Sequence, residues 1–222
     1  MKKRTIIVSF VVLLTLAGFI AFKTMNKEAT ALNDSFTKEF IAEEWVEDEF
    51  HLFESKTGQY RMLFPDQFQL ISDPPEFYGK QGDSYEHWVG QISNDNSKGI
   101  AYSFKVTFKD EKVDLTENQL YSMLNNHAYN DQYETINSSN KTIYHGSSSL
   151  FFEGPKATIH NPNFNQANIF FGLISDEHSN KTVEIYYSLD CIEIERGCEI
   201  NTQGEYEFAL KLMKSVEFLD KQ

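Results

Sequence analysis

Side chains able to act as nucleophiles or redox groups occur in two stretches of the 222-residue chain. His145-Gly146-Ser147-Ser148-Ser149 has the residue types of an acyl-transfer site. A nucleophilic serine of that kind sits on a sharp strand-to-helix turn such as G-x-S-x-G, whereas here the second glycine is missing and a strand-like run follows. The stretch therefore reads as a Gly/Ser-rich turn. The other stretch, DCIEIERGCEI, carries Cys191 and Cys198, which are the chain's two cysteines. An even count in an exported chain favours a structural disulfide, worth roughly 2 to 3 kcal/mol for so short a loop. Free thiols and a redox pair are the alternatives; a redox pair usually reads C-x-x-C.

The remaining ionisable groups form no recognisable constellation. The six histidines, at 51, 87, 127, 145, 160 and 178, include no pair at i, i+4 and no His-Glu-x-x-His. Acids cluster at Glu43-Glu44, at Glu47-Asp48-Glu49 and at Glu193 to Glu195, without the D-x-[DN]-x-[DN]-G order of a calcium loop. The 11 glycines are dispersed as turn residues and give neither a Walker nor a Rossmann pattern. No catalytic residue, metal ligand or cofactor is assigned, and a hydrolase would need a site assembled in space. Among 19 Phe, 11 Tyr and 2 Trp, Trp88, Tyr78 and Phe164 fall where a loop or surface position leaves a ring for partner contact, with core packing as the alternative.

What positions these groups begins at the N-terminus. Lys2, Lys3 and Arg4 precede a run from Ile6 to Phe22 broken only by Ser9, Thr15 and Gly18. Seventeen such residues lie at the lower limit for crossing a core of about 30 Å, and the basic cluster stays cytoplasmic. Residues 1–31 are read as cytoplasmic tip, transmembrane signal-anchor and short linker. The alternative is secretion after cleavage near Ala31, at Ala29-Thr30-Ala31. Leu16-Ala17-Gly18 begins like a lipoprotein box, but Phe19 stands where the lipid-bearing cysteine would be.

The segment 1–31 holds five basic residues and one acid, so the exported part carries −13 − 4 = −17. That balance makes nucleic acid and acidic headgroups poor partners and leaves a basic protein or a cation, with a solvated acidic surface that keeps the domain soluble as the alternative; a protein partner is expected and no nucleic acid. Removing 31 from 222 leaves 191 residues, enough for one domain. In residues 32–49, Phe36, Phe40, Ile41 and Trp45 recur near helical spacing, which predicts a helical stalk or lead-in helix capped by Asp34 or Ser35.

An α+β domain is expected over 50–222. Phe50 and Leu52, then Tyr60, Met62 and Phe64, flank Ser55-Lys56-Thr57-Gly58 as a hairpin ending at Pro65. Phe68 and Leu70 start a short extended piece, and 73–83 is a loop. Strands follow over 85–92 and over 100–109, where five apolar residues alternate with five small or polar ones. Thr116 and Gln119 suggest a capping box for a helix to about Ala128, and Thr202 with Glu205 a second, for a helix ending near Lys214. Between them, strands are predicted at 142–145, 150–153, 168–175 and 182–189, and 215–219 closes the chain as an extended tail. This is a mostly antiparallel sheet with two main helices, preceded by an N-terminal transmembrane helix.

With that order in hand, the chain resembles the PsbP-like (Mog1/PsbP) α-β-α sandwich family. Gly58-Gln59-Tyr60-Arg61-Met62-Leu63-Phe64-Pro65 is similar to the family's opening strand, and Phe208 to Phe218 to its last helix, over about 50–219. The resemblance implies an exported or anchored single domain with a binding or accessory role, and places no functional residue. Three functions remain: an anchored noncatalytic accessory domain at a bacterial envelope, an exported acidic inhibitor or immunity-type protein neutralising a basic one, and the hydrolase.

Overall fold

The structure, a computed structural model, describes residues 30–92, 99–153, 156–162, 166–191 and 199–220. Thirteen strands and two α-helices are assigned among them, in two antiparallel sheets. The smaller sheet has the order β1-β2-β3-β13, from β1 (Ile41–Glu47), β2 (Phe50–Glu54), β3 (Tyr60–Pro65) and β13 (Glu217–Phe218). The larger runs β10-β9-β11-β12-β7-β6-β4, from β4 (Gln69–Leu70), β6 (Tyr85–Gln91), β7 (Ile100–Asp110), β9 (Lys141–Glu153), β10 (Lys156–His160), β11 (Ile169–Asp176) and β12 (Lys181–Cys191). β5 (Tyr78–Gln81) adds to β6, and β8 (Glu134–Asn137) adds to β9.

Aromatic side chains weld the sheets face to face. Alternation along β7 sends Tyr102, Phe104, Val106 and Phe108 into the space between them. There they meet Phe53, Tyr60 and Phe64 of the small sheet and Trp88 of β6; the Phe53 and Trp88 ring centroids lie 4.6 Å apart. Each fully buried ring contributes about 1.5 to 3 kcal/mol, more than the ~1 kcal/mol net of an ordinary hydrogen bond, so this stack dominates the fold. The helix α2 (Thr202–Ser215) adds Ala209, Leu212 and Met213 to the same core. The helix α1 (Thr116–His127) lies on the opposite face, where Met123 and Leu124 pack on Ile169, Phe171 and Leu173. The α+β class and the mostly antiparallel sheet with two helices are therefore observed.

Several expectations are corrected. Residues 32–49 form no long helix: two 3-10 turns, Ala31–Asn33 and Thr37–Glu39, lead into strand β1. The spacing of Phe36 and Phe40 serves tertiary contact instead, since both pack edge-on to Tyr78, at 5.5 and 5.2 Å. Asp34 caps no such helix; its Oδ2 accepts from Thr37 N at 2.7 Å, at the start of the second 3-10 turn, whose N-cap position is Phe36. The loop expected over 73–83 contains β5, and two predicted strands fuse into the 13-residue β9. Neither capping box forms. Asp114 Oδ1 accepts from Thr116 N, Gln119 Oε1 accepts from Thr182, Asn201 caps α2 by accepting from Gly204 N, and Glu205 accepts from Tyr187. The predicted transmembrane helix at Ile6 to Phe22 lies outside the described residues; no described helix is long and apolar enough to cross a membrane.

Candidate functional site

Among the described residues one carboxylate, Glu86, is buried on an inward-facing strand position. Glu86 alternates with Trp88 on β6, so the pleat that buries the tryptophan buries the acid too. The β2–β3 turn answers it: Ser55 Oγ donates to Oε2 at 2.5 Å and Lys56 N donates to Oε1 at 3.0 Å. That turn holds its shape through Gly58 at φ +68° and through Ser55 Oγ, which accepts from Thr57 N at 3.0 Å. Tyr78 donates its hydroxyl to Oε1 at 3.4 Å. Burial pushes the Glu86 carboxyl up, and the bonds from Ser55 and the Lys56 amide oppose that push without cancelling it. Beside it Tyr60 is held well above the usual phenol range, first by burial and then by the Glu86 charge. Gln59, also buried, leaves Oε1 without a hydrogen-bond partner.

Trp88 is corrected as a contact candidate. It has no exposed surface and donates Nε1–H to the Tyr60 hydroxyl at 2.8 Å, so it is a core residue. Tyr78 is half-buried, clasped between the 3-10 turns and Glu86. Phe164 lies outside the described residues. So does Cys198, whereas Cys191 closes β12 at the surface, paired in register with Ile100.

The His145 run is not a turn but the middle of β9. Gly146 is there because the Phe171 ring covers it: a Cβ would stand 2.6 Å from the ring's Cζ. Strand alternation sends His145 and Ser148 to opposite faces, so they cannot act as a pair. His145 Nδ1 lies 3.0 Å from the Tyr206 hydroxyl, and burial pushes the imidazole pKa down. His145 Nε2 and Ser148 Oγ are buried without partners. The other buried histidine among the described residues is His51, with Nε2 2.9 Å from Asp66 Oδ1 and Nδ1 3.1 Å from the Ala42 carbonyl. Glu86, His51 and His145 Nδ1 each bond across elements, and no three potential metal ligands converge among the described residues.

The surface shows what sequence reasoning missed. Phe152 is 67% exposed and Phe151 44%, at the end of β9 where β10 is the one described strand that pairs with it. A signal existed: adjacent aromatics in a strand face opposite sides, so Phe151-Phe152 is buried only if both faces are covered. Past Leu150 neither helix covers them. Tyr121 of α1 is more exposed still, at 74%, but it stands as a single ring on a helix.

Comparison with known proteins gives a family and one curated relative. Residues 27–217 match the family model YvcA_Mog1p, described as "Putative lipoprotein YvcA". A Bacillus subtilis (strain 168) protein named "Putative lipoprotein YvcA" is 23% identical over 243 aligned positions, covering 98% of this chain and 97% of that protein.

Proposed function

The chain belongs to the YvcA_Mog1p family, and on that premise we propose that it is a membrane-anchored extracytoplasmic protein working as a noncatalytic accessory domain through protein contact at the cell envelope. The relative's name supplies the envelope part, since it calls that protein a lipoprotein. The attachment in this chain would differ. Its first cysteine is Cys191, and Phe19 follows Leu16-Ala17-Gly18, so the apolar segment from Ile6 to Phe22 holds the membrane in place of a lipid. Mass analysis of the mature protein tests this: an intact N-terminal segment is expected, and a chain beginning at Leu32 would end the anchor reading.

The observation that carries the contact role is the exposed Phe151-Phe152 pair. Phe152, mostly exposed, beside Phe151, half-exposed and packed edge-on to His160 at 5.5 Å, forms an aromatic edge that a partner surface would cover. The interior polar groups favour the noncatalytic side, because Glu86, His51 and His145 make their bonds to turns, strands and α2. A photo-crosslinker at Phe152 in intact cells is expected to capture a discrete protein that the same probe at Tyr121 does not. Identical patterns from both positions would remove the surface from consideration. The net −17 of the exported part supports a second reading, the neutraliser of a basic protein, for which binding should weaken steeply with added salt.

We also propose that Cys191 and Cys198 form a disulfide closing the loop that follows β12. Nonreducing mass mapping should return the two joined peptides, and free thiols at both would refute the pairing.

A further inference from the structure

Among the described residues the sheet edges are lined by β1 and β13 on the small sheet, by β4 and β5 at one side of the large sheet and by β10 and β8 at the other, and β10 is the longest of them with unbroken register. On the small sheet β1 is irregular in register between Ile41 and Glu47, and β13 has two residues. On the large sheet β4 also has two residues, and its Leu70 N–H is taken by Thr37 Oγ1 at 2.9 Å. Short, bulged or covered edges are the usual protections against unwanted strand pairing. β10 has none of these, since its five residues pair with β9 in unbroken register from Lys156↔Glu153 to His160↔Ser149.

The direction of its backbone groups follows from the neighbouring ladder. Leu150 N donates to Asn168 Oδ1 at 2.7 Å and Leu150 O accepts from Asn168 Nδ2 at 3.0 Å, so the Leu150 peptide groups face β11, away from β10. Leu150 and its opposite, Ile159, are therefore a pair that exchanges no ladder bonds. The same holds two residues on, for Phe152 and Ala157. The N–H and C=O of Ala157 and Ile159 then point outward from the sheet. Beside them Phe152 stands 67% exposed over Ala157, whose single methyl leaves the space beside the ring open.

We propose that β10 receives an extended, basic segment of a partner protein as an added strand. The Ala157 and Ile159 peptide groups would make its main-chain bonds, and an apolar side chain of the segment would seat over Ala157 against Phe152. This rests on the contact role given above and specifies its surface. Charge selects the occupant: the exported body carries −17, which repels a second copy and attracts a basic chain. Strand addition of this kind takes affinity from the main chain and specificity from alternate side chains.

The test uses the full-length chain in nanodiscs of phosphatidylcholine, titrated by fluorescence anisotropy with labelled synthetic peptides of about ten residues that alternate valine with lysine or threonine. One companion peptide replaces lysine by glutamate, and another is N-methylated at alternate amides. Saturable binding of the lysine peptide is expected, weakened at least about tenfold (~1.4 kcal/mol) in either companion. Ala157→Pro should weaken it as much, because it removes an outward N–H that no described strand uses and an edge strand tolerates proline there. Phe152→Ser gives an independent loss that leaves the backbone intact, and both variants should keep the wild-type far-UV spectrum.

Binding indifferent to Ala157→Pro and to N-methylation would overturn strand addition while leaving a contact role at some other surface. Absence of saturable binding by any peptide would overturn it as well, and the cellular crosslink from Phe152 would then decide the accessory reading separately. Self-association abolished by Ala157→Pro would replace the basic partner by a second copy.

Discussion

Glu86 and His127 bear on stability in opposite directions as pH changes. Glu86 is raised by burial, so the folded chain holds its proton more tightly than the unfolded chain does. Its contribution is therefore largest below the ordinary value of 4.5 and is lost as pH rises through the raised one. In Glu86→Gln that slope disappears, and the melting midpoint of wild type relative to the variant should fall between pH 4.5 and pH 7.5. Parallel midpoints across that range would mean that burial does not govern this carboxyl. His127 packs on Tyr186 with ring centroids 4.4 Å apart, and burial, aided by the Lys105 charge, pushes it down to about 4. A depressed histidine stabilises the fold above its unfolded value of 6.5, and that stability is lost as pH falls toward 4. NMR titration of the His127 ring protons should show a midpoint near the lower figure, whereas a midpoint at 6.5 would mean that the ring is solvated.

Among the elements, β9 separates what the sequence disclosed from what it hid. Period-2 patterns with one wet side, as in β7, or with strong β-branched and aromatic content, as in β12, were legible because local chemistry and burial agree there. From sequence β9 reads as two strands around a turn, because Gly146-Ser147-Ser148-Ser149 has turn composition. What makes it a strand is distant, namely the Phe171 ring that occupies the place of a Cβ at position 146. Gly146→Ala should accordingly cost ~1 to 3 kcal/mol in urea unfolding through displacement of that ring. A neutral result would mean that the ring moves aside freely. The lead-in segment failed for a related reason: Phe36 and Phe40 have helical spacing, but their partner is Tyr78 rather than a neighbouring turn. Of the candidate site, Trp88 was misplaced because a strand residue's face is set by its neighbours. The exposed Phe151-Phe152 pair was visible in the sequence only as a break in alternation.

On the scale of the whole molecule, the two ends of the large sheet have different surroundings. The chain enters beside β4, where Thr30 accepts from Gln69 Nε2 and Ala31 N donates to Asp66 O. β10 lies six strand spacings away, about 29 Å at ~4.8 Å each. If the N-terminal segment anchors the chain, the body is held at one edge of this sheet and presents β10 at the other. If the exported orientation holds, a thiol reagent that cannot cross membranes should label Tyr121→Cys in intact cells, and protection until lysis would reverse the topology. The C-terminus is secured differently again. Lys141 Nζ donates to the carbonyls of Lys214 and Val216, and Lys181 Nζ donates to that of Leu219 at 2.6 Å, so two ammonium groups from the large sheet hold the last turn and tail. A carboxypeptidase nibbling inward would stall at this clasp, and the length of the surviving fragment would act as a ruler for how firmly the tail is gripped.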